Sequence, residues 1–306
     1  MTETLSKAWS LFDAGNYTDA ETIYKECYAK IPSTDHDNYW QVLMGLIYAE
    51  SFLEHYTEAR TYASQLIACA IDHEEKHIAI HQAGMIERMA GAYDKAMNLF
   101  LQEEAKEKGI VTLVEIPTVK DAYESQRSFA DRMSIWQGDI TRLQVGAIVN
   151  AANSQMIGCF VPCHRCIDNA IHSAAGVQLR NECNHIMNQR RIRFGRQYEE
   201  PTGTATLTSA YNLPCKYVIH TVGPIVYGRL TEALKEDLRN CYRNVLQCCM
   251  EHEINSVAFC CISTGEFHFP NDIAAQIAVE TTEQFFAQNE NCGIERVIFW
   301  AFRPEL

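Results

Sequence analysis

The chain has 306 residues, of which 47% are hydrophobic and 21% charged, and its formal net charge is −13. This length is enough for about two domains, and the composition is that of an ordinary globular protein. The acidic charge argues against nucleic-acid binding, and no apolar run approaches the ~18 residues of a membrane span. The thirteen cysteines and a start without a signal-peptide pattern predict reduced thiols in a cytoplasmic protein that binds neither nucleic acid nor membrane.

Residues 1–110 carry a pattern in which a helix-like run is followed by Tyr-x-x-Ala. The three copies begin at Tyr17, Tyr56 and Tyr93, so they are spaced by 39 and 37 residues. A period of this length predicts stacked helical hairpins, in which the small alanine lets two helices approach closely. The pattern resembles tetratricopeptide repeats, although those usually repeat every ~34 residues. The resemblance implies a groove for a protein or peptide partner; the alternative is a helical packing module with no ligand of its own.

Residues 111–131 combine a short apolar run, a proline and a polar segment, and we expect a connector there. Between residues 132 and 306, strand-like apolar runs alternate with helix-like stretches. This alternation predicts an α/β fold with a mainly parallel sheet that helices cover on both faces. Strands are predicted at 133–136, 147–150, 217–221, 256–261 and 296–301, and helices at about 167–187, 231–252 and 272–288.

Short polar motifs follow four of these strands, where a parallel sheet binds its ligands. The loop 263–267 offers main-chain N–H groups that can cradle a phosphate. Asp139 can accept a hydrogen bond from an amino group such as that of adenine, and Asn153 offers a donor and an acceptor to a sugar hydroxyl. Each residue alone is more often a turn or structural residue. Together they predict a nucleotide with a sugar at each end.

With these motifs in place, residues 133–301 resemble a macrodomain, the ADP-ribose-binding module. The resemblance implies a three-layer α/β/α sandwich with a mixed, mainly parallel sheet, preceded here by the all-α helical-repeat domain. It is carried by QGDIT (137–141), IVNAANS (148–154), CIDNAIHSAAG (166–176), YNLPCKYVIHTVGP (211–224) and CISTGEFHFP (261–270). The implied substrate-binding residues are Asp139 at the adenine with Ile140 beside it, Asn153 at the distal ribose, and Ser263, Thr264, Gly265, Glu266 and Phe267 in the loop around the phosphates, with Phe267 close to the distal ribose.

Three thiols and an imidazole lie just before Asp168, where most catalytic macrodomains have glycines. This segment resembles the zinc-dependent macrodomain subgroup, which hydrolyses ADP-ribose from modified proteins. The resemblance implies one zinc ion per chain, held by Cys159, His164 and Cys166. In an extended loop His164 and Cys166 point the same way and Cys163 points away, which favours three protein ligands and an open fourth position, as in catalytic zinc sites. If Cys163 joins them, the site is closed and structural.

The leading hypothesis is a zinc-assisted hydrolase that removes ADP-ribose from a mono-ADP-ribosylated protein, most simply from a side-chain oxygen. Asp168 would orient or deprotonate the attacking water, and Asn153 would fix the ribose. Two alternatives stay open: a non-catalytic ADP-ribose reader with a structural zinc, and a hydrolase for a small molecule such as O-acetyl-ADP-ribose. In the reader, Asp168 is only a residue that the helix dipole stabilises. His172 and His220 are expected to be packed histidines of a helix and a strand.

Overall fold

The chain divides into two compact units, residues 1–104 and residues 105–306. The computed structural model describes residues 2–161 and 164–301. Whether Cys163 joins the predicted zinc site therefore concerns a residue outside the described ones. In the described ranges, none of the helices has the length and apolar character that crossing a bilayer requires.

The first unit is formed by three successive helical hairpins in its described residues. The repeated tyrosines Tyr17, Tyr56 and Tyr93 each begin the second helix of a hairpin. The predicted all-helical region is thus confirmed, and its helices fit a helical repeat. The helices are α1 (Thr2–Asp13), α2 (Tyr17–Tyr28), α3 (His36–Phe52), α4 (Tyr56–Cys69), α5 (His73–Met89) and α6 (Tyr93–Glu107).

The hairpins follow from the small residues and turns of the repeat. Ala20 and Ala59 are completely buried, as expected for residues at which two helices approach closely. Two residues before each tyrosine the main chain has a positive φ angle, 82° at Gly15, 63° at Glu54 and 74° at Gly91. Glycine adopts this conformation without steric cost, whereas Glu54 adopts it at the expense of some strain.

The segment predicted as a connector packs as part of the second unit. Strand β1 (Val111–Thr112) pairs in parallel with Leu143–Gln144, and helix α7 (Val119–Tyr123) follows it. Between them, Ile116 is buried in the main hydrophobic core of this unit. Farther along, the Arg127 guanidinium lies 2.6 Å from the Glu283 carboxylate.

The strands after β1 are β2 (Met133–Trp136), β3 (Leu143–Gln144, the partner of β1), β4 (Ala147–Ala152), β5 (Thr206–Ser209), β6 (Tyr217–Val222), β7 (Ser256–Phe259) and β8 (Arg296–Trp300). The main sheet has the strand order β2-β8-β7-β4-β6-β5. All neighbouring strands are parallel except β5 and β6, so the predicted mixed, mainly parallel sheet is confirmed. The five predicted strands are present, and β5 was missed because its four residues, TLTS, form no apolar run.

Strands β4 and β6 are buried along nearly all of their length. Parallel strands buried in this way need cover on both faces, and the three-layer α/β/α arrangement is confirmed. The single helix predicted at 167–187 is wrong, because Gly176, with φ 92° and ψ 177°, separates two helices. The other two predicted helices agree with the structure to within one residue at each end. The helices of this unit after α7 are α8 (Ile167–Ala175), α9 (Val177–Phe194), α10 (Glu232–Glu251) and α11 (Asn271–Gln288).

Candidate active site

Several of the predicted motifs meet at the carboxyl edge of the parallel strands. The loop after β6 touches the loop after β7, since the Val226 N–H donates to the Phe267 carbonyl at 2.9 Å. That second loop approaches the cysteine–histidine segment, where Glu266 Oε1 lies 3.6 Å from His164 Nε2. The start of α8 is joined to β4 by a hydrogen bond from Asn150 to Asp168. The structure thus brings the phosphate-loop, metal-ligand and acid/base candidates to one place.

Asp139 caps the short turn that follows β2. Its Oδ1 accepts hydrogen bonds from the Thr141 N–H at 2.9 Å and the Thr141 hydroxyl at 2.6 Å, and its side chain is exposed. Its second carboxylate oxygen accepts no hydrogen bond from the described residues and is available to a ligand. The neighbouring Ile140 is 1% exposed and packs in the core, so only its main chain can face a ligand.

Asn153 follows β4 and uses its side-chain oxygen within its own turn. Its Oδ1 accepts from the Gln155 N–H at 3.0 Å and the Met156 N–H at 3.1 Å. We expected this amide to offer both a donor and an acceptor to a sugar. Because Oδ1 is used within the turn, only the Nδ2 donor is left for a ligand. The local bonds fix the side chain, so that its Nδ2 protons are presented in a set direction.

The loop after β7 has the free N–H groups that a phosphate cradle needs. Within residues 2–161 and 164–301, the N–H groups of Gly265, Glu266 and Phe267 donate to no protein acceptor. The loop is closed at its base, because the Phe269 N–H donates to the Ser263 carbonyl at 2.9 Å. Ser263 has φ 64°, and its buried hydroxyl has no hydrogen-bond partner among the described residues. Successive unpaired N–H groups in a turn form a concavity that suits an anion.

Gly223 sets the distance between the two loops. A Cβ atom at this residue would lie 2.1 Å from the Ser263 hydroxyl oxygen and 2.8 Å from a side-chain carbon of Ile262. Only glycine therefore permits the loop after β6 to approach the loop 263–267, called the phosphate-cradle loop below, this closely.

The three predicted metal ligands, Cys159, His164 and Cys166, converge. Their donor atoms all lie within 4.8 Å of one another, and Cys159 Sγ is 3.6 Å from His164 Nδ1. Cys166 also caps α8, because its sulfur accepts the Asn169 N–H at 3.4 Å. The histidine therefore turns Nδ1 toward the thiols and Nε2 toward Glu266.

Asp168 lies in the first turn of α8 and is only 5% exposed. Its Oδ1 accepts from Asn150 Nδ2 at 2.8 Å. Burial raises the pKa of the Asp168 carboxyl, while the Asn150 hydrogen bond and the positive charge of Arg180 act in the opposite direction. A carboxylate that is buried but supplied with a donor and a nearby cation suits a positioned base.

His172 lies one helical turn after Asp168, as a buried neutral ring. Burial lowers the pKa of its imidazole to about 4, with a smaller contribution from Arg180. Its Nε2 is 3.5 Å from Asp168 Oδ1 without hydrogen-bond geometry. Gly158 lies against this ring, since a Cβ there would be 2.9 Å from the imidazole carbon. His172 is a packed helix histidine, as expected.

Two residues of the site were missed by the sequence reasoning, Asn150 and Arg180. Arg180 of α9 donates to the Ile157 carbonyl at 2.8 Å and to the Cys159 carbonyl at 3.3 Å. Its guanidinium also lies 4.3 Å from the centre of the exposed Phe160 ring. Arg180 thus holds the segment that carries Cys159, the first of the predicted metal ligands. The break at Gly176 is what turns α9 back toward this segment, and the sequence pattern did not reveal it.

Comparisons with known proteins agree with this geometry. The family model described as Macro domain matches residues 149–278. A protein-ADP-ribose hydrolase of Treponema medium is 48% identical over 203 residues, which span 66% of this chain and 72% of that protein. A protein-ADP-ribose hydrolase of Staphylococcus aureus is 48% identical over 173 residues, spanning 56% of this chain and 62% of that protein. The crystal structure of the Trypanosoma brucei macrodomain in complex with ADP-ribose has 26% identity and a TM-score of 0.52, covering 79% of this chain and 90% of that one.

Proposed function

The chain belongs to the macrodomain family, and we propose that it is a zinc-assisted hydrolase that removes ADP-ribose from a mono-ADP-ribosylated protein side chain. The observation that carries the proposal is the meeting of three groups at one sheet edge: the Cys159–His164–Cys166 cluster, the buried Asp168 and the free N–H groups of the loop 263–267. A ligand-binding module needs only the last of these. The similarity to proteins named as protein-ADP-ribose hydrolases supports the same activity.

The cluster fits a zinc ion. The donors of a tetrahedral zinc site lie 2.0–2.3 Å from the metal and hence about 3.5 Å from each other, and Cys159 Sγ is 3.6 Å from His164 Nδ1. A histidine that binds zinc through one nitrogen commonly turns the other toward a carboxylate, as His164 does toward Glu266. Bound there, zinc would act as a Lewis acid on a ribose or water oxygen, at the position that three protein ligands leave open.

The binding roles follow from the donors and acceptors that remain unused. The second carboxylate oxygen of Asp139 accepts from the adenine amino group, with the Ile140 main chain beside it. The N–H groups of Gly265, Glu266 and Phe267 bind the diphosphate, which carries the charge that such a concavity prefers. The Asn153 Nδ2 group donates to a hydroxyl of the distal ribose. Ser263 and Thr264 shape the loop, the latter through its hydroxyl bond to the Cys261 carbonyl at 3.0 Å.

The bond that breaks joins the anomeric carbon of the distal ribose to a protein oxygen. Asp168 takes a proton from the attacking water, whose oxygen forms the new bond to the anomeric carbon as the bond to the protein oxygen breaks. The departing oxygen keeps the bonding electron pair. The transition state resembles the oxocarbenium ion of glycoside hydrolysis. A side-chain oxygen that is a good leaving group, such as a carboxylate oxygen, departs without help from an acid, so for such a linkage the site needs only the base Asp168.

The first unit supplies a second part of the proposal. Three helical hairpins whose small residues pack closely form the kind of array that binds peptide segments in a groove. We assign it to tetratricopeptide-like repeats that hold the protein substrate or a partner. A pull-down with a fragment of residues 1–110 and the mono-ADP-ribosylated substrate protein tests this assignment. The assignment is contradicted if the fragment binds no partner.

Zinc content and ADP-ribose release, measured together in the full chain, test the proposal. Wild type should contain about one zinc per chain and release ADP-ribose from a mono-ADP-ribosylated protein, and Cys166→Ala should lose both. Cys69→Ala removes a half-buried thiol of the first unit and serves as the matched control that keeps zinc and activity. Zinc with tight ADP-ribose binding but no release from any linkage would identify a reader instead. Release from O-acetyl-ADP-ribose alone would identify a small-molecule hydrolase.

A further inference from the structure

A network of buried polar side chains lies beneath Asp168, and the chemistry proposed above does not use it. Asn150 of β4 is completely buried, and His220 of β6 is 1% exposed. The two residues are direct partners in the parallel register of β4 and β6, so their side chains lie on the same face of the sheet. Thr208 of β5 shares that face, because its neighbour two residues earlier, Thr206, is the antiparallel partner of His220.

With Asp168 ionised, as the proposed function requires, the donors and acceptors of this network have one consistent arrangement. Asn150 Nδ2 lies 2.8 Å from Asp168 Oδ1 and 3.1 Å from His220 Nδ1. An amide nitrogen has two protons and accepts nothing, so it donates to both. His220 Nδ1 is therefore unprotonated, and the ring carries its proton on Nε2. That nitrogen lies 3.0 Å from the Thr208 hydroxyl, which in turn donates to the Val218 carbonyl at 3.3 Å.

The neutral state of His220 is what makes it an acceptor. Burial lowers the pKa of this imidazole to about 3, so the ring stays uncharged at neutral pH. Without an acceptor at Nδ1, the Asn150 amide loses one of the two partners that define its orientation. If the amide rotated by 180° about the Cβ–Cγ bond of Asn150, its oxygen would face Asp168 and repel the carboxylate.

We propose that His220 is a positioning residue, whose Nδ1 lone pair holds the Asn150 amide in the orientation that donates to Asp168 and so fixes the attacking geometry of that carboxylate. This inference rests on the proposed function of Asp168 as the base. His220 does not itself touch the reacting atoms, and its effect passes through Asn150. An Asp168 carboxylate that is free to rotate remains present but is misplaced, and misplacement of a reacting group by about 1 Å can lower a rate about 100-fold.

Two substitutions of His220 separate positioning from packing. His220→Leu fills the space but offers no acceptor, whereas His220→Asn places an amide oxygen near the position of Nδ1. We expect His220→Leu to lower kcat about 10- to 100-fold with KM and the ADP-ribose Kd within about threefold of wild type. His220→Asn should recover most of the lost kcat. Ser256→Ala is the matched control for a lost buried hydrogen bond, because the Ser256 hydroxyl accepts the Gly146 N–H at 2.8 Å at the opposite edge of the sheet.

A second measurement follows the amide itself. In wild type, both side-chain amide protons of Asn150 should give slowly exchanging NMR signals. These two signals are assigned by their disappearance in Asn150→Asp. In His220→Leu one of the two protons should lose its protection. An unchanged kcat in His220→Leu, a kcat in His220→Asn as low as in His220→Leu, or an equal loss in Ser256→Ala overturns the inference. If wild type releases no ADP-ribose at all, the proposed function fails on its own, and an unaltered Asn150 signal in His220→Leu then overturns the inference separately.

Discussion

The ligand loops and the polar groups beneath them are built in opposite ways. In the loops, the groups aimed at a ligand are main-chain N–H groups, exposed carboxylates and half-buried thiols, and their positions depend on turns such as the one at Ser263. Beneath them, Asn150, Asp168 and His220 are almost completely buried, and each is held by another side chain. Under the proposed function, the ligand loops (the outer region) bind the substrate, and the buried groups beneath them (the inner region) place the base. Substitutions in the two regions should therefore affect different kinetic constants.

The largest effect should come from the inner region, in Asp168→Asn. The substitution keeps the shape of the side chain but removes the carboxylate that we propose takes the proton from water. Loss of a general base lowers a rate by about 10²- to 10⁴-fold. Single-turnover release of ADP-ribose should fall by that factor, while the ADP-ribose Kd from calorimetry stays within about threefold. A parallel loss of binding would show that the loop had collapsed and that the two regions are not separable.

The second-largest effect should be a loss of stability of the inner region in acid. Burial lowers the pKa of His220 to about 3 and that of His172 to about 4, and the unfolded chain returns both to about 6.5. Below pH 6.5 the unfolded state therefore binds protons that the folded state resists. The stabilisation that is present above pH 6.5 is lost as the pH falls toward the folded values. Between pH 7 and pH 5 the two groups together should remove about 4 kcal/mol from the free energy of unfolding.

Hydrogen exchange of the β4 and β6 amides in the full chain measures this loss. A Cys159→Ser/Cys166→Ser background keeps metal release out of the comparison. Introducing His220→Asn into that background should remove about half of the pH dependence, because one of the two titrating groups is gone. The same steep pH dependence in that variant would mean that other groups, not the buried imidazoles, titrate on unfolding.

The sequence predicts the outer region better than the inner one, for a physical reason. The residues aimed at a ligand follow strands directly, so Asp139, Asn153 and the loop 263–267 could be located from the strand pattern. The Asn150–His220 contact depends on strand register between segments 70 residues apart. Both residues lie in apolar runs, and nothing local distinguishes them from core residues. The same applies to Arg180, whose role depends on the break at Gly176 inside an otherwise continuous helical pattern.

The third-largest effect should be a loss of metal affinity in Arg180→Met, which tests how the outer region is supported. Arg180→Met keeps an unbranched side chain but removes both donors to the carbonyls of Ile157 and Cys159. A partner that orients a metal ligand typically contributes about 10- to 100-fold in affinity. Competition with a chromogenic chelator should show zinc bound weaker by that factor. Arg191→Met, which removes a contact to Gln155, is the matched control from the same helix, and an equal loss there would remove the special role of Arg180.

The smallest effect should come from Gly223→Ala, in the contact between the two loops. The new methyl group would lie 2.1 Å from the Ser263 hydroxyl oxygen and 2.8 Å from a side-chain carbon of Ile262, so the phosphate-cradle loop or these side chains must move. ADP-ribose should bind about 10-fold more weakly, with kcat changed less than Kd, because the cradle moves and Asp168 does not. The double variant Gly223→Ala/Ser263→Ala removes the hydroxyl that meets the methyl group, and it should recover part of the affinity. Ser263→Ala alone should bind nearly as wild type does, since the Ser263 hydroxyl has no hydrogen-bond partner in the part of the chain that the structure describes. Without recovery in the double variant, the approach of the two loops would not be what shapes the cradle, and the outer region would depend on contacts other than this one.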